Sequence, residues 1–296
     1  MRSMSTSADV VPSATVLERL LLAYARWFPV MRGKLRVVDW LWRTAARNSD
    51  THRIARLRHG DFRMPCDLSS MLQRQIYFFG TYQTEAHFLD IWEHEAKGAR
   101  MVFDVGANAG VYSLATLAAN EHATVHAFEP TPEIASRLRD TVALNELGQL
   151  HVHELAVFSE NGRASLRRFR GETGANEGMN FITATRENET ESVATVSLDS
   201  FCDEHGIDRI DLLKLDIQGQ EHRALAGASR LLRDGRIGTV FTELNWNQQA
   251  GEVCPATESI RILEQAGYLF AKPATPLRWT HSGPWMRDVS EVIARG

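Results

Sequence analysis

The run Phe103-Asp104-Val105-Gly106-Ala107-Asn108-Ala109-Gly110, answered downstream by Glu129-Pro130, constrains this chain more than any other feature. Met101 to Asp104 read as a buried strand and Val111 to Ala119 as a helix, so a glycine-bearing turn joins strand to helix. The next strand, Val125 to Glu129, closes on a single acidic residue. That layout predicts a ligand site at the carboxyl end of a parallel sheet. Gly106 and Gly110 let the backbone approach a ligand where a Cβ would collide. Glu129 lies 23 residues beyond Gly106. Such a sheet places a carboxylate at that distance to accept hydrogen bonds from ribose hydroxyls.

The spacing also separates cofactor classes. A dinucleotide fold wants Gly-x-Gly-x-x-Gly and a helix terminus facing a pyrophosphate. Here Asn108 occupies the central position, and Asp104 sits just ahead of the turn. An aspartate there would repel a phosphate and accept the charged amino group of S-adenosyl-L-methionine, which is the expected cofactor. Asp104, Gly106, Asn108, Gly110, Glu129 and Pro130 are its expected binding residues. Asn108 also suits a left-handed turn without any ligand contact.

From Ala99 onward strands and helices alternate. Strands are predicted near 101–104, 124–129, 150–156, 210–216 and 238–243, and helices near 110–119, 131–145, 220–233 and 256–266. Alternation of this kind implies an α/β, doubly wound, mostly parallel sheet. The expected organisation is a disordered tail (1–12), a helical and hairpin extension (13–98) and a catalytic domain (99–296). In the extension, amphipathic helices are predicted from Ser13 to Pro29 and over Leu35 to Arg47. A hairpin should join His52–Leu57 to Asp61–Pro65, Ser69 should cap a helix through Gln75, and a further helix should run from Thr84 to Glu95. Arg163–Arg170 and Val193–Ser197 read as strands flanking the long stretch Gly171 to Glu191. A loop of that length inside a compact domain is usually functional, and a substrate-covering flap over about 163–197 is expected.

The formal charge of −4 hides an asymmetry. Residues 1–60 carry eleven Lys and Arg against four Asp and Glu, while the remainder carries 22 against 33. The acidic body argues against nucleic-acid binding. The basic arm suits packing onto that body, and with Trp27, Trp40 and Trp42 among arginines it also suits peripheral contact with a membrane surface. No apolar run is long enough to span a bilayer, and Met1 to Pro12 lack the apolar core of a secretory signal. The three cysteines, Cys66, Cys202 and Cys254, are scattered and form no metal-binding pattern. A cytoplasmic location and no bound metal are therefore expected.

These residues together make the chain resemble the FkbM family of S-adenosylmethionine-dependent methyltransferases, over about Arg74 to Tyr268. The resemblance rests on motifs in order: Gln75-Ile76-Tyr77-Phe78-Phe79-Gly80-Thr81-Tyr82-Gln83, Val102 to Gly110, Ala127-Phe128-Glu129-Pro130, Ser197-Leu198-Asp199-Ser200-Phe201, and Leu213-Lys214-Leu215-Asp216-Ile217-Gln218-Gly219-Gln220-Glu221. Two positions depart from it. The family often has Glu where Gln83 stands, and its Lys-x-Asp-x-Glu-Gly-x-Glu signature has Glu where Gln218 stands. The resemblance implies a Rossmann-like class I methyltransferase with a seven-stranded sheet, with Ala156 beside the adenine. It further implies methylation of a hydroxyl oxygen on a small metabolite or on a sugar or glycan. A catalytically idle binding or regulatory module on the same fold is the alternative.

Methyl transfer from a sulfonium needs in-line positioning and removal of the acceptor's proton. Asp216, at the end of the apolar strand Ile210–Leu215, is the first candidate for that chemistry and for contact with the cofactor. Glu243, closing the strand Thr239–Thr242, is the second, unless it pairs with the buried Lys214. His222 is a third, as a base near neutral pH. His126, His151 and His153 alternate on neighbouring strands and read as structural.

Overall fold

The computed structural model describes residues 15–28, 33–45, 50–167, 170–171, 174–175, 181–183, 190–246 and 254–296. The extension begins with helix α1 (Val16–Trp27), whose Thr15 and Glu18 form a reciprocal capping box. Helix α2 (Lys34–Ala45) follows. Strands β1 (His52–Arg56) and β2 (Arg63–Asp67) then pair antiparallel as the expected hairpin. Helix α3 (Met71–Phe79) starts one residue later than predicted, at an N-cap Ser70 that makes no side-chain cap bond. It also runs past Gln75, because its stop is Gly80 in the left-handed conformation (φ 76°). Helix α4 (Ala86–Ala96) closes the extension.

The alternating region then unfolds in order. It comprises β3 (Met101–Val105), α5 (Val111–Ala119), β4 (Thr124–Phe128), α6 (Pro132–Leu144) and β5 (Leu150–His153). Next come the short β6 (Ala156–Val157), β7 (Gly162–Arg167), β8 (Arg170–Gly171), β9 (Gly174–Ala175), β10 (Phe181–Thr183) and β11 (Thr190–Val196). Helix α7 (Leu198–His205), β12 (Ile210–Leu215), α8 (Glu221–Ala226), α9 (Ser229–Arg233) and β13 (Ile237–Glu243) follow, then α10 (Pro255–Gln265), β14 (Leu269–Ala271) and β15 (Glu291–Arg295).

The main sheet has seven strands in the order β14-β15-β13-β12-β3-β4-β5. Neighbours among β5, β4, β3, β12 and β13 run parallel, whereas β15 is antiparallel to both β13 and β14. Successive residues of each central strand enter different cores. Val102, Leu212 and Phe241 pack with α3 to α6, while Phe103, Leu213 and Val240 pack with α7 to α10. Burial on both faces is the reason these strands read as continuous apolar runs. The fold is an α/β, Rossmann-like, doubly wound and mostly parallel seven-stranded sheet.

A second sheet, in the order β10-β7-β11-β6, forms from strands of the predicted insertion together with β6, which precedes it. β7 and β11 pair antiparallel, so the strands expected at either end of the flap do meet. Most of Gly171 to Glu191 lies outside the described residues, as do Asn247, Arg168 and the first fourteen residues.

Candidate active site

The carboxyl ends of β3, β12 and β13 open into a cleft of about 260 Å³. Its floor is the glycine turn. Gly106 has φ 79°, and a Cβ there would collide with the Asp216 carbonyl oxygen. A Cβ at Gly110 (φ 80°) would strike Leu138 of α6. Both glycines thus serve close approach within the protein, Gly106 drawing the ends of β3 and β12 together and Gly110 admitting α6 against the turn. Asn108 takes the left-handed conformation that its type favours (φ 48°).

Glu129 fastens this turn. Its Oε2 accepts a hydrogen bond from the Asn108 backbone N–H at 3.1 Å, and Oε1 accepts one from Thr131 N–H at 2.8 Å. The carboxylate here ties the start of α6 to the glycine turn through two backbone donors. Asp104 lies behind the turn rather than in the cleft lining. Its Oδ2 accepts from the Ser113 backbone N–H (3.0 Å) and hydroxyl (2.7 Å), which pins the first turn of α5. Burial raises its pKa, against the opposing pull of Lys214 and of the Ser113 bonds.

Charged groups gather on the opposite wall. Lys214 is buried, with Nζ 2.7 Å from Asp216 Oδ2 and 4.3 Å from the centre of the Tyr112 ring. Its partner is therefore Asp216, not the Glu243 that strand adjacency suggested. Lys214 and Glu243 sit at different levels along paired strands, because Lys214 registers with Phe241. Burial works against the Lys214 charge, but Asp216, Glu85 and Asp104 together outweigh it and raise its pKa. Gln218, held at φ 56°, donates from Nε2 to Asp216 Oδ1 (3.2 Å) and more weakly to Glu243 Oε2 (3.5 Å). Behind it, buried Glu221 Oε1 accepts from the backbone N–H of Ile217 and of Gly219, which fixes the turn.

Two groups in the cleft left no signal that spacing alone could reveal. Glu85 lies two residues past the family position at Gln83 and accepts a hydrogen bond from Tyr112 Oη at 2.8 Å. Glu291 of β15 registers directly opposite Glu243 of β13, so both carboxyls stand on one face. Burial pushes Glu243 up to about 7, reinforced by Asp216 and Glu221. Burial and then Glu85 push Glu291 up to about 7 as well. Tyr82, from the motif Gln75 to Gln83, joins them there. It is 7% exposed, lines the cleft, and its hydroxyl has no hydrogen-bond partner among the described residues. A buried polar group left unpaired costs about 1–3 kcal/mol, so a ligand group that accepts from Tyr82 would recover that loss.

The cleft thus brings together Gly106, Asn108, Asp216 and Glu243 of the sequence-derived candidates. Gly110, Glu129, Pro130, Ala156 and His222 lie outside its lining, Glu129 reaching it through its bond to the Asn108 backbone. His222 sits in the first turn of α8, within electrostatic reach of Glu258 on α10. A larger cavity, about 880 Å³, lies at the amino-terminal ends of β3 and β12, with His126, His151, His153 and His205 in its wall. We place the chemistry at the smaller cleft, because the glycine turn and the carboxylates with raised pKa meet there. Among the described residues no cluster of His, Cys, Asp or Glu could hold a metal ion.

The sequence profile described as the methyltransferase FkbM domain matches residues 104–270, more than half of the chain. The chain belongs to the FkbM methyltransferase family. Within that family it is similar to the 2-O-methyltransferase NoeI of Sinorhizobium fredii, 29% identical over 155 residues. That match covers 48% of this chain and 62% of the relative. It is also similar to the 31-O-demethyl-FK506 methyltransferase FkbM of Streptomyces tacrolimicus, 31% identical over 159 residues, covering 45% of this chain and 61% of the relative. The match therefore spans about three fifths of the length of each curated relative. Among solved structures, a SAM-dependent methyltransferase from Agrobacterium tumefaciens superimposes with a TM-score of 0.43 and 10% identity, over 83% of this chain and 69% of that one. That likeness is too remote to bear on chemistry.

Proposed function

We propose that this FkbM-family chain is an S-adenosylmethionine-dependent O-methyltransferase acting on a hydroxyl of a small metabolite or sugar, and that it works in the cytoplasm. One observation carries the reading. The turn that marks the family and two carboxylates with pKa near 7 open into the same cleft. Both curated relatives bear names that denote transfer to oxygen. The three free cysteines suit a reducing compartment.

The residues present fit that cofactor. Glu129, at the end of β4 and bonded to the Asn108 backbone, stands where ribose hydroxyls would be received. The Tyr82 hydroxyl, with no partner among the described residues, suits the carboxylate of the methionine end. Glu85 and Asp216 favour a cationic group beside them. When bound, S-adenosylmethionine supplies an electrophilic methyl group on a positively charged sulfur.

For the acceptor we assign the proton-accepting role to Glu243 and a positioning role to Asp216. Asp216 is engaged on both oxygens, by Lys214 and by Gln218. Among the described residues Glu243 carries only the long Gln218 bond, on Oε2, which leaves Oε1 to take the hydroxyl proton. A group with pKa near 7 is ionised above that pH and still basic enough to be useful. The acceptor itself is best uncharged, since the cleft presents Glu85, Asp216, Glu243 and Glu291 against one lysine. We assign no role to His222 or to a metal.

The test is transfer of labelled methyl from S-adenosylmethionine to a panel of neutral sugars and hydroxylated metabolites. Glu243→Gln should lower kcat by about 10²–10⁴ and remove the limb near pH 7, while S-adenosylhomocysteine binds as before. A variant that keeps both the rate and the limb would assign the proton elsewhere.

A further inference from the structure

We infer that the outward face of α1 and α2 is a docking surface for an anionic lipid bilayer. The observation is a second apolar side left exposed on α1. A helix packed on a protein surface normally buries its apolar stripe and turns its charges to water. Helix α1 turns Glu18, with Leu21 and Ala25, inward, and Glu18 meets Arg53 at 2.7 Å in a buried ion pair. The opposite side carries Val16, Leu20 and Trp27, at positions one, five and twelve of the helix, with Phe28 just beyond. All four are exposed, Trp27 at 84%. The next helix continues the pattern. Trp40 is 63% exposed and stands one turn from both Arg36 and Arg43, which are also exposed.

The distribution over the molecule sharpens the point. Of the nine large hydrophobic side chains that are exposed among the described residues, seven lie between Val16 and Trp40. Scattered exposed leucines mean little, whereas a concentration of this kind marks an interaction surface. Its chemistry selects the partner. Tryptophan and phenylalanine among arginines match the boundary between headgroups and acyl chains. The charge of residues 1–60, eleven basic against four acidic, complements an anionic surface, while the rest of the chain carries 22 against 33. No helix among the described residues is long and apolar enough to cross a membrane. The contact is therefore peripheral, and it would bring the enzyme to acceptors held at a membrane surface.

The full chain is incubated with phosphatidylcholine vesicles and with vesicles of phosphatidylcholine and phosphatidylglycerol in equal parts, then sedimented. Binding to the mixed vesicles alone is expected, weakening as salt is raised. Trp27→Ala with Trp40→Ala should weaken binding about tenfold without altering the melting temperature, since both side chains face outward. Arg36→Glu with Arg43→Glu should do the same. Failure to bind mixed vesicles at low salt would overturn the assignment. So would a self-associated chain whose dimer is dispersed by the Trp27→Ala change without lipid, because the face would then belong to a second copy.

Discussion

Gln218 stands between two carboxylates with its amide nitrogen turned toward both, bonding Asp216 at 3.2 Å and Glu243 at 3.5 Å. In the family signature this position is an acid, so here an amide donor replaces a negative charge. The consequence is electrostatic. Restoring the acid, Gln218→Glu, adds a like charge beside Glu243 and should raise its pKa further. The base must be ionised to act, and activity is lost as pH falls through its pKa. The acidic limb of kcat/KM should therefore move up by about one pH unit, read from a pH–rate profile. An unmoved limb would separate Gln218 from the base. Asp216 and Glu243 were legible in the sequence because each ends an apolar strand. Glu291 and Glu85 were not. Glu291 acts through an antiparallel register that the rule of alternating strands and helices does not supply. Glu85 sits on the approach to a helix, where an acid ordinarily needs no further explanation.

Helix α1 was legible as an amphipathic helix, but its orientation was not. Periodicity groups Val16, Leu20 and Trp27 as one apolar stripe, yet the buried side holds Glu18 with Leu21 and Ala25 and leaves that stripe exposed. What turns the Glu18 side inward is a network across three elements. Arg53 of β1 donates to Glu18, Tyr77 Oη of α3 donates to the same carboxylate at 2.6 Å, and Arg26 donates to the carbonyls of Arg56 and Tyr77. Removing one partner leaves a buried, uncompensated charge. Arg53→Ala should thus cost about 3–5 kcal/mol, measured by denaturant unfolding, whereas the exposed Arg43→Ala should change stability by less than about 0.5 kcal/mol. Similar losses for the two would deny that the network anchors α1. A second element was misjudged for a related reason. Residues 220–233 read as one helix, yet α8 and α9 break at Gly227, where the Phe158 carbonyl approaches so closely that a Cβ would collide with it. Such an approach comes from tertiary packing and leaves no local pattern beyond the glycine itself.

At the scale of the molecule, function and stability pull apart at the mouth of the main sheet. Glu291 holds its proton up to about 7 in the fold and ionises near 4.5 when unfolded. A raised carboxylate leaves folding undisturbed below pH 4.5 and costs stability progressively between 4.5 and 7. Glu291→Gln should accordingly stabilise the protein by roughly 1–2 kcal/mol at pH 8, after allowance for partial exposure, and leave it unchanged at pH 4. Denaturant midpoints at the two pH values decide the point, and an equal effect at both would refute it. His126 and His153 act in the opposite sense. Burial holds them down to about 3 and about 4, so their contribution is complete above pH 6.5 and lost as the medium acidifies. The sheet order was legible because buried parallel strands announce themselves as apolar runs with acidic ends. The chemistry of the cleft was legible only in part, because side chains from five regions of the chain converge there, around 71–88, 106–112, 214–218, Glu243 and Glu291. That the glycine turn and Glu129 hold S-adenosylmethionine is best checked by calorimetric titration with S-adenosylhomocysteine beside NAD. Micromolar binding of the first alone, weakened by Glu129→Ala, is the predicted result. Binding of NAD, or of neither, would contradict it.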